Sequence, residues 1–159
     1  MDRMDKIWYA SYGSNLLFER FRCYIEGGVF AGNGNEYDGC TDPELPTESR
    51  RIIIPFERYY ARHSGSWDGG GVAFIDPETP GETIGRMYLI TAEQFEEVKQ
   101  QEGPSWYGRE VCLGQHDGYP VMTFTEYERS PETEPSEGYL KVIREGEAET
   151  EGIEIAEML

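Results

Sequence analysis

The sequence is poor in the residues that build disulfide frameworks and metal sites. It has three cysteines, Cys23, Cys40 and Cys112, which are widely spaced and form no Cys-x-x-Cys pair. An odd number of isolated cysteines suits a reducing compartment better than a disulfide framework or a zinc site. The two histidines, His63 and His116, lie in polar contexts and have no partner four residues away. We therefore expect a cytoplasmic protein without a bound metal.

Basic charge and long apolar runs are also scarce. The chain has 14 basic residues against 31 acidic ones, which gives a net charge of −17. Such a field repels a phosphate backbone, so nucleic acid is not an expected partner. No segment approaches the roughly 20 apolar residues that a membrane span needs, and the start, MDRMDKIW, lacks an apolar signal region. We expect no membrane partner.

What the sequence does contain indicates one folded domain. Its 159 residues are 38% hydrophobic and 13% aromatic, with no internal repeat. This length is enough for a single buried core, and this composition is typical of a globular rather than a disordered chain. We expect a single domain over residues 1–159.

Hydrophobic spacing predicts a strand, a tight loop and a helix at the start. Residues 7–12 alternate and are rich in aromatics, which is typical of a strand. After a Gly-Ser-Asn loop, with Ser14 or Asn15 as the expected N-cap, helical spacing continues until Gly27. Residues 31–50 are rich in glycine, proline and acids. They predict a long surface or functional loop with no pattern of its own.

The rest of the chain predicts six more strands around one middle helix, and a helical end. Pro55 indicates a break or a sheet edge at the first two of these strands, and the turn PETPGE separates the third from the fourth. Thr91 and Gln94 predict a capping box for the middle helix, which Gly103 ends. The helical end surrounds Tyr139. The predicted strands are RIIIPF, FERYYAR, GGVAFID, TIGRMYLI, YGREVCL and PVMTFTEY.

These elements predict an α+β fold. About six to seven short strands with few helices indicate a strongly curled sheet or a small β-barrel with flanking helices. A doubly wound sheet is the second choice, because regular alternation of strands and helices is absent.

The loop Tyr-Gly-Ser-Asn-Leu is the first candidate binding element. A tight loop that enters a helix presents unpaired N–H groups, and the helix dipole adds positive potential, so the loop is a candidate anion receptor. A well-capped turn without a ligand is the plain alternative. A phosphate site is less favoured, since neither a Walker motif nor a G-x-G-x-x-G is present. Ser14 lacks the context of a nucleophile elbow.

Glu102 is the candidate acid or base. On the middle helix it continues the stripe of Phe95 and Val98, so its carboxyl points inward rather than to solvent. Burial and the negative end of the helix dipole both raise the pKa of such a carboxyl, which suits general acid/base chemistry near neutral pH. The alternative is a frayed last turn with a solvated Glu102.

Together these features resemble the γ-glutamylcyclotransferase-like family. That family carries a Tyr-Gly-Ser-Asn-Leu loop after its first strand and a Glu-Gly that ends a mid-chain helix. The resemblance covers most of the chain in the right order, and it implies a small mixed β-barrel with flanking helices. The sequence departs from the eukaryotic enzymes in the insertion 31–50 and in residues 51–67. The matching elements are Tyr12-Gly13-Ser14-Asn15-Leu16, Glu102-Gly103, WDGGGVAFIDP, GRMYLI, Tyr107, Tyr139 and residues 143–146.

The resemblance implies an enzyme that needs no cofactor, metal or protein nucleophile. The α-amine of a small γ-glutamyl substrate attacks its own γ-carbonyl, which closes the ring of 5-oxoproline and expels an amine or amino acid. Glu102 is implied as the general acid/base. The implied substrate-binding residues are Tyr12, Gly13, Ser14, Asn15, Leu16, Tyr107 and Tyr139.

Two other functions stay open from the sequence. One is a carboxylate-binding module of the same fold, and the other is an amide hydrolase in which water attacks the γ-carbonyl. The acidic surface favours a γ-glutamylamine or a neutral γ-glutamyl amino acid as substrate over a more anionic one. The sequence does not specify the oligomeric state.

Overall fold

The computed structural model describes residues 5–156, which fold into seven strands and three helices. The strands are β1 (Lys6–Ser11), β2 (Gly28–Val29), β3 (Glu36–Tyr37), β4 (Ser49–Ser64), β5 (Gly70–Thr91), β6 (Arg109–His116) and β7 (Tyr119–Thr125). The helices are α1 (Phe18–Glu26), α2 (Ala92–Glu102) and α3 (Glu137–Glu151). Short 3₁₀ turns cover Ser14–Leu16 and Gly65–Trp67.

A five-stranded sheet in the order β4-β5-β1-β7-β6 forms the centre of the fold. Its middle strand β1 is antiparallel to β5 and parallel to β7, so the sheet is mixed. The predicted α+β class is therefore confirmed. Among residues 5–156 the pairing ends at β4 and β6 and does not close, so the predicted barrel is not confirmed.

The core lies between this sheet and helices α1 and α2. Tyr9 of β1 stacks on Phe21 of α1 with ring centroids 5.4 Å apart, and it meets Phe95 of α2 edge-on at 6.2 Å. Both helices therefore cover the same face of β1. Because β1 is paired on both sides and its Trp8 and Ala10 are also fully buried, it is apolar along most of its length. No helix among residues 5–156 combines the length and apolarity of a membrane span.

The four predicted strands between residues 51 and 90 are two long ones. Pro55 does not end β4, and the PETPGE segment lies inside β5. The register shifts instead: Phe56 pairs with Pro80 while Glu57 pairs with Asp76, so three residues of β5 loop out. The two predicted breaks are wrong because β-bulges accommodate extra residues and a proline without ending the ladder. The alternative for Pro55, a sheet edge, is confirmed, because β4 is an edge strand, where proline is tolerated.

The predicted N-cap of the first helix is also wrong. Ser14 and Asn15 belong to a separate 3₁₀ turn, and α1 begins after Leu17, which makes no side-chain cap. The amide of Phe18 donates instead to Glu149 Oε1 at 2.9 Å, so a side chain of α3 satisfies one of the free N–H groups at the start of α1. The side chains of Ser14 and Asn15 therefore do not cap α1 and can make other contacts.

The predicted ends of α1 and α2 are confirmed. Thr91 and Gln94 form the reciprocal capping box that the sequence predicts for α2. Gly27 and Gly103 follow the last residues of α1 and α2, with φ values of 82° and 102°. These dihedrals favour glycine, which explains why each helix stops there.

The insertion 31–50 has some regular structure, contrary to the prediction. Its strand β3 pairs with β2, and its later part docks on α2. The side chain of Gln94 donates to the carbonyls of Asp42 and Glu44 at 2.8 and 3.0 Å, and the hydroxyl of Thr41 donates to Glu97 at 2.6 Å. The insertion is therefore fixed to the helix that carries Glu102.

The packing of α3 on the loop after β1 leads to a stability prediction. A Cβ at Gly146 would lie 2.6 Å from Leu16 Cβ and 2.7 Å from Leu17 N. Gly146→Ala should therefore lower the free energy of unfolding by about 1–3 kcal/mol through overpacking, although alanine favours helix. Gly138→Ala is the matched control in α3, since no described atom lies within 4 Å of its Cβ. It should be neutral or slightly stabilising. Urea unfolding followed by circular dichroism tests both, and equal stabilities would contradict the packing argument.

Candidate active site

A hollow of about 300 Å³ opens beyond the end of β1. Its walls come from β1 and the loop after it, from β5, from the last turn of α2, and from three later segments that carry Tyr107, Phe124 and Tyr139. The structure thus brings together every sequence-predicted site residue except Leu16. The lining residues are Tyr9, Tyr12, Gly13, Ser14, Asn15, Ala73, Glu102, Tyr107, Phe124 and Tyr139.

The loop after β1 supplies free backbone amides. The amides of Leu16 and Leu17 donate to the carbonyls of Gly13 and Ser14 at 3.0 and 3.2 Å. Within the described part of the chain, the amides of Gly13, Ser14 and Asn15 have no acceptor. Because these three residues line the hollow, their N–H groups are available to an anionic ligand there.

Gly13 is required by close packing inside the hollow. A Cβ at this position would lie 3.0 Å from the Tyr139 hydroxyl and 3.1 Å from Ala73 Cβ. Any larger residue would push the loop away from Tyr139 and alter the positions of its amides.

Leu16 lies outside the hollow. Its side chain is fully buried in the core, and its carbonyl accepts a hydrogen bond from Arg86 Nη1 at 3.2 Å. Its position indicates that it anchors the loop, because the residues that do line the hollow precede it directly.

The carboxyl of Glu102 reaches the loop from the end of α2. Asn15 Nδ2 donates to Glu102 Oε1 at 3.0 Å, and the same amide group donates to the Tyr9 hydroxyl at 3.1 Å. Burial of the carboxyl raises the pKa of Glu102 above its ordinary value. The Arg20 cation and the hydrogen bonds from Tyr24 and Asn15 act in the opposite direction. The carboxyl is therefore poorly solvated but remains beside a cation.

The hydroxyls of Tyr107 and Tyr139 both bond to the backbone of Ala73, the first as a donor and the second as an acceptor. The Tyr107 hydroxyl donates to the carbonyl of Ala73 at 2.9 Å, whereas the Tyr139 hydroxyl accepts from the amide of Ala73 at 2.9 Å. The proton of Tyr139 thus remains available to a ligand in the hollow. Tyr12 donates its own proton to the carbonyl of Phe124 at 2.7 Å, so its ring forms a fixed wall.

Arg20 is the site residue that sequence reasoning missed. It is only 4% exposed. Its Nε donates to Ser14 Oγ at 3.2 Å, and its Nη2 donates to the Tyr24 hydroxyl at 2.8 Å. The available signal was its position beside Phe21 and four residues before Tyr24, on the apolar stripe of α1. A charged residue on such a stripe is buried only with partners.

A second cavity adjoins the first. It has a volume of about 480 Å³ and shares Ser14, Glu102, Tyr107 and Tyr139 with the hollow. Four of its other nine lining residues are aromatic, and one of these four, Tyr37, belongs to the insertion 31–50. These other lining residues are Arg20, Tyr24, Tyr37, Ser64, Ser66, Trp67, Val72, Gln101 and Trp106.

The structure offers no alternative metal centre in the part of the chain that it describes. There, no group of three or more His, Cys, Asp or Glu side chains is arranged to hold a metal ion. The acids of the insertion, which the sequence places in a solvated loop, form no such cluster.

Comparison with solved structures identifies the fold. A gamma-glutamyl cyclotransferase aligns with a TM-score of 0.65 and 22% identity over 92% of this chain and 80% of its own. An uncharacterised protein from Homo sapiens gives a TM-score of 0.64 and 21% identity over 98% and 92% of the two chains. YkqA from Bacillus subtilis gives a TM-score of 0.59 and 16% identity, over 95% of this chain and 56% of its own. The chain therefore has the γ-glutamyl cyclotransferase-like fold, as the sequence predicts.

Comparison of sequences adds one partial similarity. The chain is 33% identical over 152 residues to a protein named Histone deacetylase 5 from Arabidopsis thaliana, which covers 75% of this chain. The chain spans only 23% of that protein's length. A scan against protein-family models finds no match. These comparisons establish the fold and leave the activity to be argued from the site.

The raised pKa of Glu102 predicts a pH-dependent effect on stability. The folded protein holds this proton more tightly than the unfolded chain, so ionisation of Glu102 costs stability as the pH rises through its folded-state pKa. Glu102→Gln should therefore unfold at a higher temperature than the wild type at neutral pH. The difference should vanish below the ordinary glutamate pKa of about 4.3.

Thermal unfolding between pH 4 and pH 8 measures this difference. Glu96→Gln, an exposed glutamate on the same helix, is the control and should leave the midpoint close to that of the wild type. A Glu102→Gln protein that is less stable than the wild type at neutral pH would contradict the desolvation of the carboxyl.

Proposed function

We propose that this protein is a γ-glutamylcyclotransferase-type enzyme. It releases 5-oxoproline and an amine or amino acid from a small γ-glutamyl compound. The observation that carries the proposal is the hydrogen bond of 3.0 Å between Asn15 and Glu102. This bond holds a poorly solvated carboxyl in the same hollow as three backbone amides that have no acceptor among residues 5–156.

In the first step Glu102 acts as the general base. Its carboxylate takes a proton from the α-ammonium group of the substrate, and the resulting amine nitrogen forms a bond to the γ-carbonyl carbon. The carbonyl electron pair moves to oxygen, which becomes an oxyanion. A carboxyl with a raised pKa is a better base than an exposed one, provided that it is ionised at the working pH.

In the second step Glu102 acts as the general acid. The oxyanion re-forms the carbonyl, the bond from the γ-carbon to the leaving nitrogen breaks, and Glu102 returns its proton to that nitrogen. The ring nitrogen still carries one proton more than a lactam nitrogen, and the regenerated Glu102 carboxylate transfers this second proton to the departing amine. The products are the five-membered lactam and an ammonium ion, and the carboxylate is again ionised. These proton transfers fall within reach of one side chain, since the two nitrogens are bonded to the same carbon.

The free amides and Tyr139 are the proposed donors for the anionic oxygens of the substrate. Two such anions arise, the α-carboxylate and the oxyanion, and the N–H groups of Gly13, Ser14 and Asn15 suit either. The available hydroxyl proton of Tyr139 adds a fourth donor in the hollow. Charge-assisted hydrogen bonds of this kind are stronger than neutral ones because the acceptor is ionised.

No protein nucleophile is needed for this reaction. Ring closure is intramolecular, and a well-oriented intramolecular attack corresponds to effective concentrations of about 10⁵ M or more. The site has only to fold the glutamyl chain back on itself. Ser14 lines the hollow, and its hydroxyl accepts a hydrogen bond from Arg20 Nε. An activated nucleophile would need a base beside it, so this contact fixes the hydroxyl and does not activate it.

Substitution of Glu102 tests the assignment. Glu102→Gln keeps the shape of the side chain but removes its titratable proton, so 5-oxoproline formation should fall by about 10²-fold or more while the fold is retained. The assay detects 5-oxoproline by mass spectrometry from a panel of γ-glutamyl amines and amino acids, with Glu96→Gln as the active control. Release of free glutamate would instead indicate hydrolysis. Ligand binding without any product would indicate a binding module.

The pH dependence of the wild type provides a second test. Because the base must be ionised, kcat/KM should rise with pH through the pKa of Glu102, which lies above the ordinary glutamate value. The acid limb of the profile should therefore be centred above pH 4.5, the reference value for an unperturbed glutamate. Initial rates in a constant-ionic-strength buffer series give this profile. An activity that is flat across this range would argue against Glu102 as the base.

A further inference from the structure

The carbonyls of the loop after β1 are all hydrogen-bonded, whereas several of its amides are not. Every carbonyl from Tyr12 to Leu16 accepts a hydrogen bond from the protein. The amides of Gly13, Ser14 and Asn15 have no acceptor among residues 5–156. Two of the carbonyls are bonded within the loop, and the other three accept from side chains of β4 and β5. These two strands therefore help to fix the orientation of the loop.

One of the three side-chain donors acts on a peptide unit whose own N–H has no acceptor in the described part of the chain. The amides of Leu16 and Leu17 are bonded to carbonyls of the loop, but the amide of Gly13 is not. Arg58 of β4 bonds the carbonyl of the Tyr12–Gly13 unit, and it is the donor that matters for the hollow. The three contacts are Arg58 Nη1 to the Tyr12 carbonyl at 3.0 Å, the Tyr88 hydroxyl to the Asn15 carbonyl at 2.8 Å, and Arg86 Nη1 to the Leu16 carbonyl at 3.2 Å.

The hydrogen bond from Arg58 fixes the direction of the Gly13 N–H. The peptide unit between Tyr12 and Gly13 is planar and trans, so its C=O and N–H point in opposite directions. Its carbonyl faces Arg58, and its N–H therefore faces away from Arg58. Arg58 lies outside the hollow, whereas Gly13 lines it. A donor behind the loop thus orients an amide at the front.

The same hydrogen bond strengthens the Gly13 N–H as a donor. A cationic donor draws electron density towards the carbonyl oxygen, which makes the N–H of the same peptide unit more positive. Hydrogen bonds that are linked in this way strengthen one another by about 10–30% per bond. The effect is largest for an ionised acceptor, because charge-assisted hydrogen bonds are the strong ones. An anionic oxygen in the hollow would therefore bind more tightly to this amide.

Arg58 is itself held in place from two sides. Its Nη2 donates to Glu147 Oε2 of α3 at 3.2 Å. Its Cζ lies 5.7 Å from the ring centroid of Tyr60, and that ring meets the ring of Tyr139 edge-on at 6.3 Å. Glu147 balances the positive charge, so Arg58 acts on the loop through a directed hydrogen bond rather than through a long-range field.

We propose that Arg58 is a positioning residue for the loop after β1. Through its hydrogen bond to the carbonyl of Tyr12, it orients and polarises the N–H of Gly13, which binds an anionic oxygen of the substrate. This inference rests on the proposed cyclisation, in which that oxygen belongs to the α-carboxylate or to the oxyanion. Arg58 acts through the backbone and does not contact the substrate.

Substitution of Arg58 tests the proposal. Arg58→Met keeps an unbranched stem beside Tyr60 but has no N–H donor. It should lower kcat/KM by about three- to tenfold, because one amide of the hollow becomes a weaker and less well-directed donor. Arg58→Lys should recover part of this loss, since it retains a cationic donor. The assay uses the compound of the γ-glutamyl panel that the wild type converts fastest. A kcat/KM of Arg58→Met equal to that of the wild type would overturn the proposal.

Glu147→Gln is the matched control, because it removes the ion pair but leaves the hydrogen bond from Arg58 to Tyr12. Its kcat/KM should stay close to the wild-type value. If Glu147→Gln loses as much activity as Arg58→Met, the effect belongs to the attachment of α3 and the proposal is wrong. The kinetic constants of Arg58→Met also assign the anion. A raised KM would indicate the α-carboxylate, and a lowered kcat at unchanged KM would indicate the oxyanion; either pattern supports the proposal.

The amide nitrogen of Gly13 reports on the hydrogen bond without any substrate. Loss of a cationic donor at the preceding carbonyl should move the ¹⁵N resonance of Gly13 upfield in Arg58→Met, and Glu147→Gln should leave it near its wild-type position. Two-dimensional ¹H–¹⁵N spectra of the ligand-free proteins measure both shifts. A Gly13 resonance that Arg58→Met leaves unchanged would contradict the polarisation of this peptide unit.

Failure of the cyclisation proposal would be distinguishable from failure of this one. If the wild type converts no compound of the panel, the cyclisation proposal fails. Calorimetric affinity for γ-glutamyl-alanine then replaces the rate as the measure of anion binding. Weaker binding to Arg58→Met than to Glu147→Gln would support the role of Arg58, and equal affinities of the two variants would refute it.

Discussion

The hydrogen bond from Asn15 to Glu102 joins the loop after β1 to the last turn of α2, across 87 residues of sequence. It keeps the Glu102 carboxyl in the hollow that Gly13, Ser14 and Asn15 also line. The fold brings the two elements together because β1 is the middle strand of the sheet and α2 covers the face that carries Tyr9. Displacement of either element would separate the acid from the amides.

The site combines groups that are unfavourable for stability with groups that compensate them. The carboxyl of Glu102 and the guanidinium of Arg20 both lie in poorly solvated positions, and each lowers the cost of the other at a distance. Hydroxyl and amide groups of Ser14, Tyr24 and Asn15 complete part of their hydrogen bonding. Among residues 5–156, the amides of Gly13, Ser14 and Asn15 and the Nη1 of Arg20 remain without an acceptor. Polar groups without a partner are common at functional sites, where they lower stability in the absence of a ligand.

The insertion 31–50 joins a wall of the second cavity to the helix that carries Glu102. It contributes Tyr37 to the second cavity, and it is fixed to α2 through Gln94, in the first turn of the helix that ends at Glu102. The wall of the second cavity and the position of the carboxyl therefore depend on the same packed unit. This explains how a segment without a clear hydrophobic pattern still has a defined place in the fold.

Sequence reasoning succeeded where the signal was local. The capping box of Thr91 and Gln94 and the stripe that turns Glu102 inward follow from helix geometry alone. At Pro55 it predicted the sheet edge but also a break that does not occur, because strand pairing tolerated a proline near a bulge. It failed at the N-cap of α1, because a glutamate from α3 replaced the local cap. It missed Arg20, because a single charge within an apolar stripe does not show which partners it will have.

By itself, the sequence determined the presence of the helices, the capping box of α2, the glycines that end α1 and α2, the small-residue loop after β1, and the inward direction of Glu102. Each of these depends on residues within a few positions of one another. Only the tertiary structure decided that the loop and the carboxyl share one hollow, that Arg20 is buried beside a second cavity, and that the insertion supplies part of its wall. These features depend on contacts between distant segments and on exclusion of water, which become defined only when the sheet and its helices are packed together.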